Sequence, residues 1–174
     1  MCRIFYTEFN CAGDVSPKGK KQQQSRVARK LLKIAAEKCG YEFCEERISV
    51  KEGGKPYIEG ENWSFNISHC DDLVCVAVSD FEVGIDVQKI GDVNENVVRR
   101  FLKKDAGTPE ENTFAWTDYE ALGKFLGVGI PILHSFGKKY VITQVSISDH
   151  CISLCHEPND EILSTEEVIV VNGD

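Results

Sequence analysis

Apolar residues along this chain follow two patterns, short continuous or alternating runs and longer stretches with helical spacing. The short runs predict strands and the longer stretches predict amphipathic helices. Strands are predicted over residues 3–9, 63–68, 73–78, 83–88, 140–148, 151–156 and 168–171. Helices are predicted over residues 25–38, 94–104 and 112–126, with residues 13–21 as a loop. The chain is therefore expected to contain both helices and strands.

The strand predicted over residues 83–88 combines an apolar face with a carboxylate on the other face. Val83, Ile85 and Val87 point one way, and Asp86 and Gln88 point the other way. A carboxylate at such a position is costly to bury unless it is paired or bound to a metal ion. Asp86 is therefore a candidate ligand.

A second carboxylate lies on the helix predicted over residues 112–126. Trp116, Glu120 and Lys124 are four residues apart and share one face of that helix. If this face packs against the strand, Asp86 and Glu120 converge beside an ammonium group. Two or three oxygen ligands, together with substrate phosphates and water, are how proteins usually hold Mg²⁺. Taken alone, Glu120 and Lys124 also fit an ordinary surface ion pair.

Charge is distributed unevenly along the 174 residues. The net charge is −8, yet residues 16–38 contain eight basic residues and one acidic residue. A protein that binds nucleic acid is rarely so acidic elsewhere, so a nucleic-acid partner is not expected. A local basic surface suits a small polyanion or an acidic partner protein, although a solvated helix face gives the same pattern.

The eight cysteines do not form the CxxC pairs of a zinc finger. His150-Cys151 and Cys155-His156 could suggest a metal site, but small buried cysteines within a strand are the better explanation. No apolar run reaches about 20 residues, and the first residues lack the apolar segment of a secretory signal. We therefore expect a cytoplasmic protein with free thiols and no membrane partner.

Four short segments occur in a specific order along the chain. They are Gly54-Lys55-Pro56-Tyr57, Phe65-Asn66-Ile67-Ser68-His69, Gly84-Ile85-Asp86-Val87-Gln88 and Trp116-Thr117-x-x-Glu120-Ala121-x-x-Lys124. Each segment alone is a weak signal, whereas four in this order are specific. Together they resemble the 4'-phosphopantetheinyl transferase superfamily, and their order resembles its larger, surfactin-type subgroup. The resemblance covers about residues 18–130.

The resemblance implies a pseudo-twofold α+β fold, in which each half is a helix packed on a small antiparallel sheet. The halves would be residues 1–91 and 92–174, forming one compact unit with the ligand site between them. A faint similarity between residues 66–75 and 146–155 agrees with two related halves. An internal pseudo-dimer would make a monomer sensible.

The resemblance also implies a Mg²⁺-dependent transfer of phosphopantetheine from coenzyme A to a serine of an acyl or peptidyl carrier protein. Asp86 and Glu120 resemble the metal ligands, and Gln88 could add a carbonyl oxygen. Glu120, Lys124 and His69 would be the catalytic residues. The residues expected to bind coenzyme A are Lys18, Lys21, Arg26, Lys55, Pro56, Ser68, His69 and Lys124.

Two positions depart from the family pattern. Tyr119 stands where the family helix usually has a lysine, and Gln88 stands where the strand usually has a second acid. These departures leave open an alternative, a degenerate relative that binds coenzyme A or a carrier protein without catalysis. A cysteine and histidine metal protein is a further alternative.

Overall fold

Nine strands and three helices form along the part of the chain that the computed structural model describes, which is residues 1–10, 16–128, 139–158 and 162–170. The first strands are β1 (Cys2–Glu8), β2 (Ile48–Val50), β3 (Pro56–Ile58), β4 (Ser64–His69) and β5 (Leu73–Ser79). The later strands are β6 (Gly84–Lys89), β7 (Val141–Ile147), β8 (His150–His156) and β9 (Ile162–Glu167). The helices are α1 (Pro17–Lys38), α2 (Glu95–Val97) and α3 (Pro109–Leu126).

The described strands pair into three sheets. The largest has the order β4-β5-β1-β9, the second has the order β6-β8-β7, and β2 pairs with β3. The predicted α+β class is therefore confirmed. The expectation of purely antiparallel sheets is wrong at one edge, because β9 runs parallel to β1. A parallel pair needs a long connection rather than a hairpin, and β9 reaches β1 from the far end of the chain.

The elements stack in four layers, with the two larger sheets inside and one long helix on each outer side. The apolar stripe of α1 packs on the four-stranded sheet and contributes Leu31 and Leu32 to a core shared with Val76. The other face of that sheet packs on the three-stranded sheet, where Ile85 is fully buried. Helix α3 covers the outer face of β6 and β8. Because side chains alternate along a strand, Asp86 on β6 faces α3.

Helix α1 begins eight residues before the predicted start at Ser25. The Ser16 side chain accepts a hydrogen bond from the Gly19 amide at 3.2 Å, and Pro17 occupies the first helical position. Ser25 is an interior residue whose hydroxyl donates to the Lys21 carbonyl at 2.9 Å. Residues 17–21 of the predicted loop are therefore helical, and residues 13–15 lie outside the described part of the chain.

The helix predicted over residues 94–104 forms only in part. A single turn, α2, is followed by a π-helical turn at Val98–Leu102 and ends where Lys103 has a φ of 53°. The prediction over residues 112–126 is confirmed, although α3 begins three residues earlier because Thr108 and Glu111 form a capping box. Gly127, with a φ of 68°, ends α3, and Gly129 lies outside the described residues.

Strand pairing crosses the predicted boundary between residues 91 and 92. Strand β6 pairs with β8, and β1 pairs with β9. The two pseudo-twofold halves therefore stay a prediction. The last strand lies at Ile162–Glu167 instead of residues 168–171, and residue 171 lies outside the described chain. Within the described ranges, no helix is both long enough and apolar enough to cross a membrane.

Candidate functional site

The site forms where α3 crosses β6 at very short range, and Gly84 permits this approach. A Cβ atom at position 84 would lie 2.2 Å from the Ala121 carbonyl oxygen and 2.3 Å from the Phe125 nitrogen. Any larger residue would push the helix away from the strand. Gly84 thus allows α3 to pack closely on β6, which brings the residues of α3 within reach of Asp86.

Polar side chains, rather than backbone ladders, connect β6 to the edge strand β4. The Asn66 Oδ1 atom accepts from the Ile85 amide at 2.9 Å, and the Ser68 Oγ atom accepts from the Val87 amide at 3.3 Å. Asn66 and Ser68 alternate along β4 at the same spacing as the two amides along β6. They therefore hold the two strands in register and fix the position of Asp86. Sequence analysis assigned no role to Asn66, although it lies within one of the quoted segments.

Asp86 is 2% exposed and is paired on one of its oxygens with two donors. Its Oδ1 atom accepts from the Ser68 hydroxyl at 2.7 Å and from the Lys124 ammonium at 2.7 Å. Lys124 also donates to the Ser68 hydroxyl at 2.8 Å. The ammonium group offsets part of the cost of burying this carboxylate. The predicted metal ligand Asp86 and the predicted coenzyme A ligands Ser68 and Lys124 are therefore adjacent.

The other oxygen of Asp86 faces Gln88 and, beyond it, Glu120. The Gln88 amide nitrogen lies 3.3 Å from Asp86 Oδ2 and 3.1 Å from Glu120 Oε2, so one amide bridges the two carboxylates. Burial raises the pKa of Glu120 to about 7, and the charge of Asp86 adds to this effect. Two carboxylates held this close favour either a shared proton or a bound cation.

His69 occupies the end of β4 beside the same group of residues. Its ring is half-buried, and burial lowers its pKa, an effect to which the positive charges of Lys124 and Lys21 contribute. The imidazole is therefore neutral at physiological pH and can donate or accept a hydrogen bond.

A cavity of about 260 Å³ adjoins Lys124 on the side of the β2–β3 hairpin. It is lined by Gly53, Gly54, Lys55, Pro56, Asn66 and Lys124, among others. The predicted residues Lys55 and Pro56 thus lie in its wall. The Lys55 ammonium donates to the Val83 carbonyl at 2.6 Å and pairs with Glu82. These protein partners engage it, so Lys55 forms part of the cavity wall.

The remaining predicted residues, Lys18, Lys21 and Arg26, line a larger groove of about 750 Å³ along the exposed side of α1. Arg29, Lys30 and Lys33 lie in the same groove, whose far wall includes Phe43 and Glu45. Glu45 pairs with Arg29 at 3.0 Å. Among the described residues, no carboxylate pairs with the three predicted ones, so their charges are available to an anion.

A second polar network, which the sequence did not predict, connects α3 to β7 and β8. It fixes the rotation of α3 about its own axis. The Ser153 hydroxyl of β8 donates to Asp118 Oδ1 at 2.6 Å and lies 2.8 Å from the Thr117 hydroxyl. Gln144 of β7 donates to Asp118 Oδ2 at 2.9 Å. Because Asp118 and Glu120 belong to one helix, this network also sets where Glu120 points. Hydroxyl and amide groups without a recognisable spacing gave no signal in the sequence.

The two departures from the family pattern occupy different surroundings. Gln88 lies between the carboxylates, as described above. Tyr119 packs on Trp116, with ring centroids 5.9 Å apart, and Trp116 in turn packs on Phe101 at 5.7 Å. Tyr119 thus belongs to an aromatic group that connects α3 to the π-helical turn.

Comparison with known proteins gives two curated relatives for about half of the chain, whereas no protein-family model matches it. One is "4'-phosphopantetheinyl transferase gsp" of Aneurinibacillus migulanus, 32% identical over 96 residues, which are 49% of this chain and 40% of the relative. The other is "4'-phosphopantetheinyl transferase psf-1" of Bacillus pumilus, 35% identical over 98 residues, which are 49% of this chain and 42% of the relative. The chain thus spans less than half the length of these relatives. The resemblance found in the motifs is confirmed.

Proposed function

We propose that this chain transfers the 4'-phosphopantetheine group of coenzyme A to a serine of an acyl or peptidyl carrier protein. Mg²⁺ would be the cofactor, and 3',5'-ADP would be the second product. The observation behind the proposal is the arrangement of Asp86, Gln88 and Glu120 beside the Lys124 ammonium. The type of reaction comes from the names of the two relatives.

The donor set between β6 and α3 fits a hard divalent cation. Asp86 and Glu120 offer carboxylate oxygens on either side of Gln88, and half a turn of the Gln88 amide would present its carbonyl oxygen to the same space. Burial first and the nearby charge of Asp86 second raise the pKa of Glu120, and a bound cation would offset both effects. When bound, Mg²⁺ would neutralise charge on the pyrophosphate of coenzyme A.

Two surfaces suit the nucleotide end of coenzyme A, where one ribose carries both the 3'-phosphate and the adenine. The groove on α1 offers Lys18, Lys21 and Arg26 to the 3'-phosphate, where charge-assisted hydrogen bonds are strongest. The cavity beside Pro56 suits the adenine, with Lys55 holding the cavity wall through Glu82 and Val83. Lys124, which lines this cavity, and His69 would contact the pyrophosphate.

The reaction forms a bond between the carrier serine oxygen and the β-phosphorus and breaks the bond from that phosphorus to the departing 3',5'-ADP. Glu120, directly or through a bound water, would accept the proton of the serine hydroxyl. Lys124 and Ser68 would stabilise the charge on the phosphate oxygens, and neutral His69 would donate a hydrogen bond to them. No covalent enzyme intermediate is needed.

We further propose that α1 with the four-stranded sheet and α3 with the three-stranded sheet are the two pseudo-twofold halves of a transferase fold. The long helix on one face of each sheet supports this proposal. Since each half contributes residues to the site, one chain would suffice, and we propose that it acts as a monomer.

Mass spectrometry of the carrier protein tests the proposed function. The chain would be incubated with coenzyme A, Mg²⁺ and a panel of apo-carriers, and we expect at least one carrier to gain the mass of phosphopantetheine. The same reaction with EDTA is the control. If no carrier gains mass while calorimetry shows coenzyme A binding, the chain is a binding relative and the proposed transfer is wrong. If coenzyme A does not bind either, the chain is neither a transferase of this kind nor a relative that binds coenzyme A.

A further inference from the structure

A group of metal-ligating side chains outside the proposed transfer site lies where the β4–β5 turn meets the start of β8. Cys70, Asp72 and His150 each offer one ligand atom, and these atoms all lie within 4.8 Å of one another. Cys70 Sγ is 3.6 Å from Asp72 Oδ1, and His150 Nε2 is 2.7 Å from the same oxygen. The three side chains therefore converge on one point.

We propose that Cys70, Asp72 and His150 form a binding site for a divalent metal ion of the zinc class. Thiolate, imidazole and carboxylate are the ligand types that zinc takes in proteins, and water can complete a four-coordinate shell. Bonds of about 2.0–2.3 Å place tetrahedral ligand atoms roughly 3.3–3.8 Å apart. The sulfur–oxygen distance of 3.6 Å already fits. The imidazole needs to move away from Asp72 by about 1 Å to meet the same requirement.

The surroundings of His150 resemble those of a metal-binding histidine. This residue is 5% exposed, and its buried Nδ1 atom has no properly oriented hydrogen-bond partner among the described residues, although Asp149 Oδ1 lies 3.0 Å away. A metal ion at Nε2 requires the ring proton at Nδ1, next to that carboxylate. A carboxylate on the far nitrogen is the usual outer partner of a ligating histidine.

Lys89 keeps one oxygen of Asp72 occupied and leaves the other for a metal ion. Its ammonium lies 2.6 Å from Asp72 Oδ2 and 3.1 Å from Asp149 Oδ2, so it holds both carboxylates in place. Among the residues that the structure describes, Asp72 Oδ1 then has contacts to Cys70 and His150. Asp72 Oδ1 thus stays available as a ligand, while the Lys89 ammonium at Oδ2 compensates part of the negative charge of Asp72.

The adjoining cavity has the charge that attracts a cation. It has a volume of about 250 Å³, and its lining includes Tyr6, Glu8, Asp72, Asp149, His150 and Glu167. Burial raises the pKa of the Cys70 thiol to about 11, so the thiol is protonated before the metal ion arrives. Binding would form bonds from the metal ion to Cys70 Sγ and His150 Nε2, and it would release to solvent the thiol proton and any proton held at Nε2.

This group differs from the metal site that the sequence suggested. Of the pairs His150-Cys151 and Cys155-His156, only His150 takes part. Cys155 packs in an apolar cluster with Ala121 and Phe125, as expected for a buried cysteine. The His156 ring lies 3.1 Å from the Thr143 hydroxyl. A metal ion at the new position would connect the β4–β5 turn of one sheet to β8 of the other and so stabilise their packing.

Titration of the chain with Co²⁺ in excess Mg²⁺ tests this proposal, because a cobalt–thiolate bond gives a charge-transfer absorption that oxygen ligands do not give. We expect saturation at one equivalent, loss of the band in Cys70→Ser, and at least roughly tenfold weaker binding in Asp149→Asn. Cys44→Ser is the matched control, since Cys44 is a half-buried cysteine outside the group, and it should keep the band.

Thermal unfolding with zinc gives a second readout that does not depend on any enzymatic activity. One equivalent of Zn²⁺ should raise the melting temperature of the parent and of Cys44→Ser but not that of Cys70→Ser or His150→Gln. If His150→Gln does not fold, Cys70→Ser still decides the outcome. A cobalt–thiolate band that survives in Cys70→Ser, the lack of such a band in the parent, or an equal zinc response of Cys70→Ser and the parent would overturn the proposal.

Discussion

Replacement of Glu120 by glutamine should stabilise the protein at high pH and leave its stability unchanged at low pH. Because the pKa of Glu120 is raised in the folded state, the folded protein binds more protons than the unfolded chain between pH 4.5 and about 7. The free energy of unfolding contributed by this group therefore falls as pH rises through that window. Glutamine has nearly the same shape and no charge, so Glu120→Gln removes this loss.

The size of the effect follows from the displacement of the pKa. A pKa moved from 4.5 to about 7 sets an upper limit of about 3.4 kcal/mol, since each pH unit is worth about 1.4 kcal/mol. Glu120 is only partly buried, and its charge is partly compensated by Lys124, so solvent and the ammonium reduce this value. We expect Glu120→Gln to be more stable than the parent by about 1–2 kcal/mol at pH 8 and by about zero at pH 4.

Urea unfolding of parent and variant in EDTA, followed by circular dichroism from pH 4 to 8, measures this difference. His69 has the opposite effect on the parent, because a lowered histidine pKa makes stability rise with pH, but it cancels when the two curves are subtracted. Glu111→Gln is a control of opposite sign on the same helix, since hydrogen bonds from Thr108 lower the Glu111 pKa. A Glu120→Gln difference that is flat or shrinks with rising pH would refute the reasoning.

Three further predictions concern packing, the phosphate groove and the metal ligands. Gly84→Ala should lower the free energy of unfolding in urea by about 3 kcal/mol or more, because the new Cβ would meet the α3 backbone. Gly123→Ala within α3 is the control and should change that free energy by less than about 1 kcal/mol. Arg26→Gln should reduce the preference for coenzyme A over its 3'-dephospho form about three- to tenfold, as measured by calorimetry; an unchanged preference would remove Arg26 from the phosphate site. Gln88→Glu should tighten Mg²⁺ binding by roughly tenfold in the same instrument, and equal or weaker binding would contradict its place among the ligands.

Most strands could be predicted from the sequence, because their apolar patterns reflect burial that the fold preserves. The run from Leu73 onward is continuous and apolar because β5 is buried on both faces, by α1 and by the three-stranded sheet. The start of α1 was missed because residues 17–24 are largely polar and only their caps indicate a helix. The last strand was misplaced because β9 is an edge strand with a polar sequence, whose position depends on pairing with the distant β1.

Spacing along single elements predicted part of the candidate site. Asp86 and Gln88 alternate on a strand, and Glu120 and Lys124 lie one turn apart on a helix, so each pair was visible locally. Which faces would meet was not visible, and neither was the role of Asn66 in joining β4 to β6. The association of Cys70 and Asp72 with His150 is equally remote from local sequence, since it depends on how the two sheets pack.

The rate of phosphopantetheine transfer by Asp86→Asn, compared with Glu110→Gln, tests the central claim most directly. Glu110 is an exposed carboxylate on the first turn of α3, far along the helix from Lys124, and its loss should leave the rate unchanged. Asp86→Asn keeps the shape of the buried side chain but removes the charge that pairs with Lys124 and that would hold Mg²⁺. We predict a loss of more than about a hundredfold in the single-turnover rate at saturating coenzyme A. A folded Asp86→Asn protein that transfers at nearly the parent rate would contradict the account.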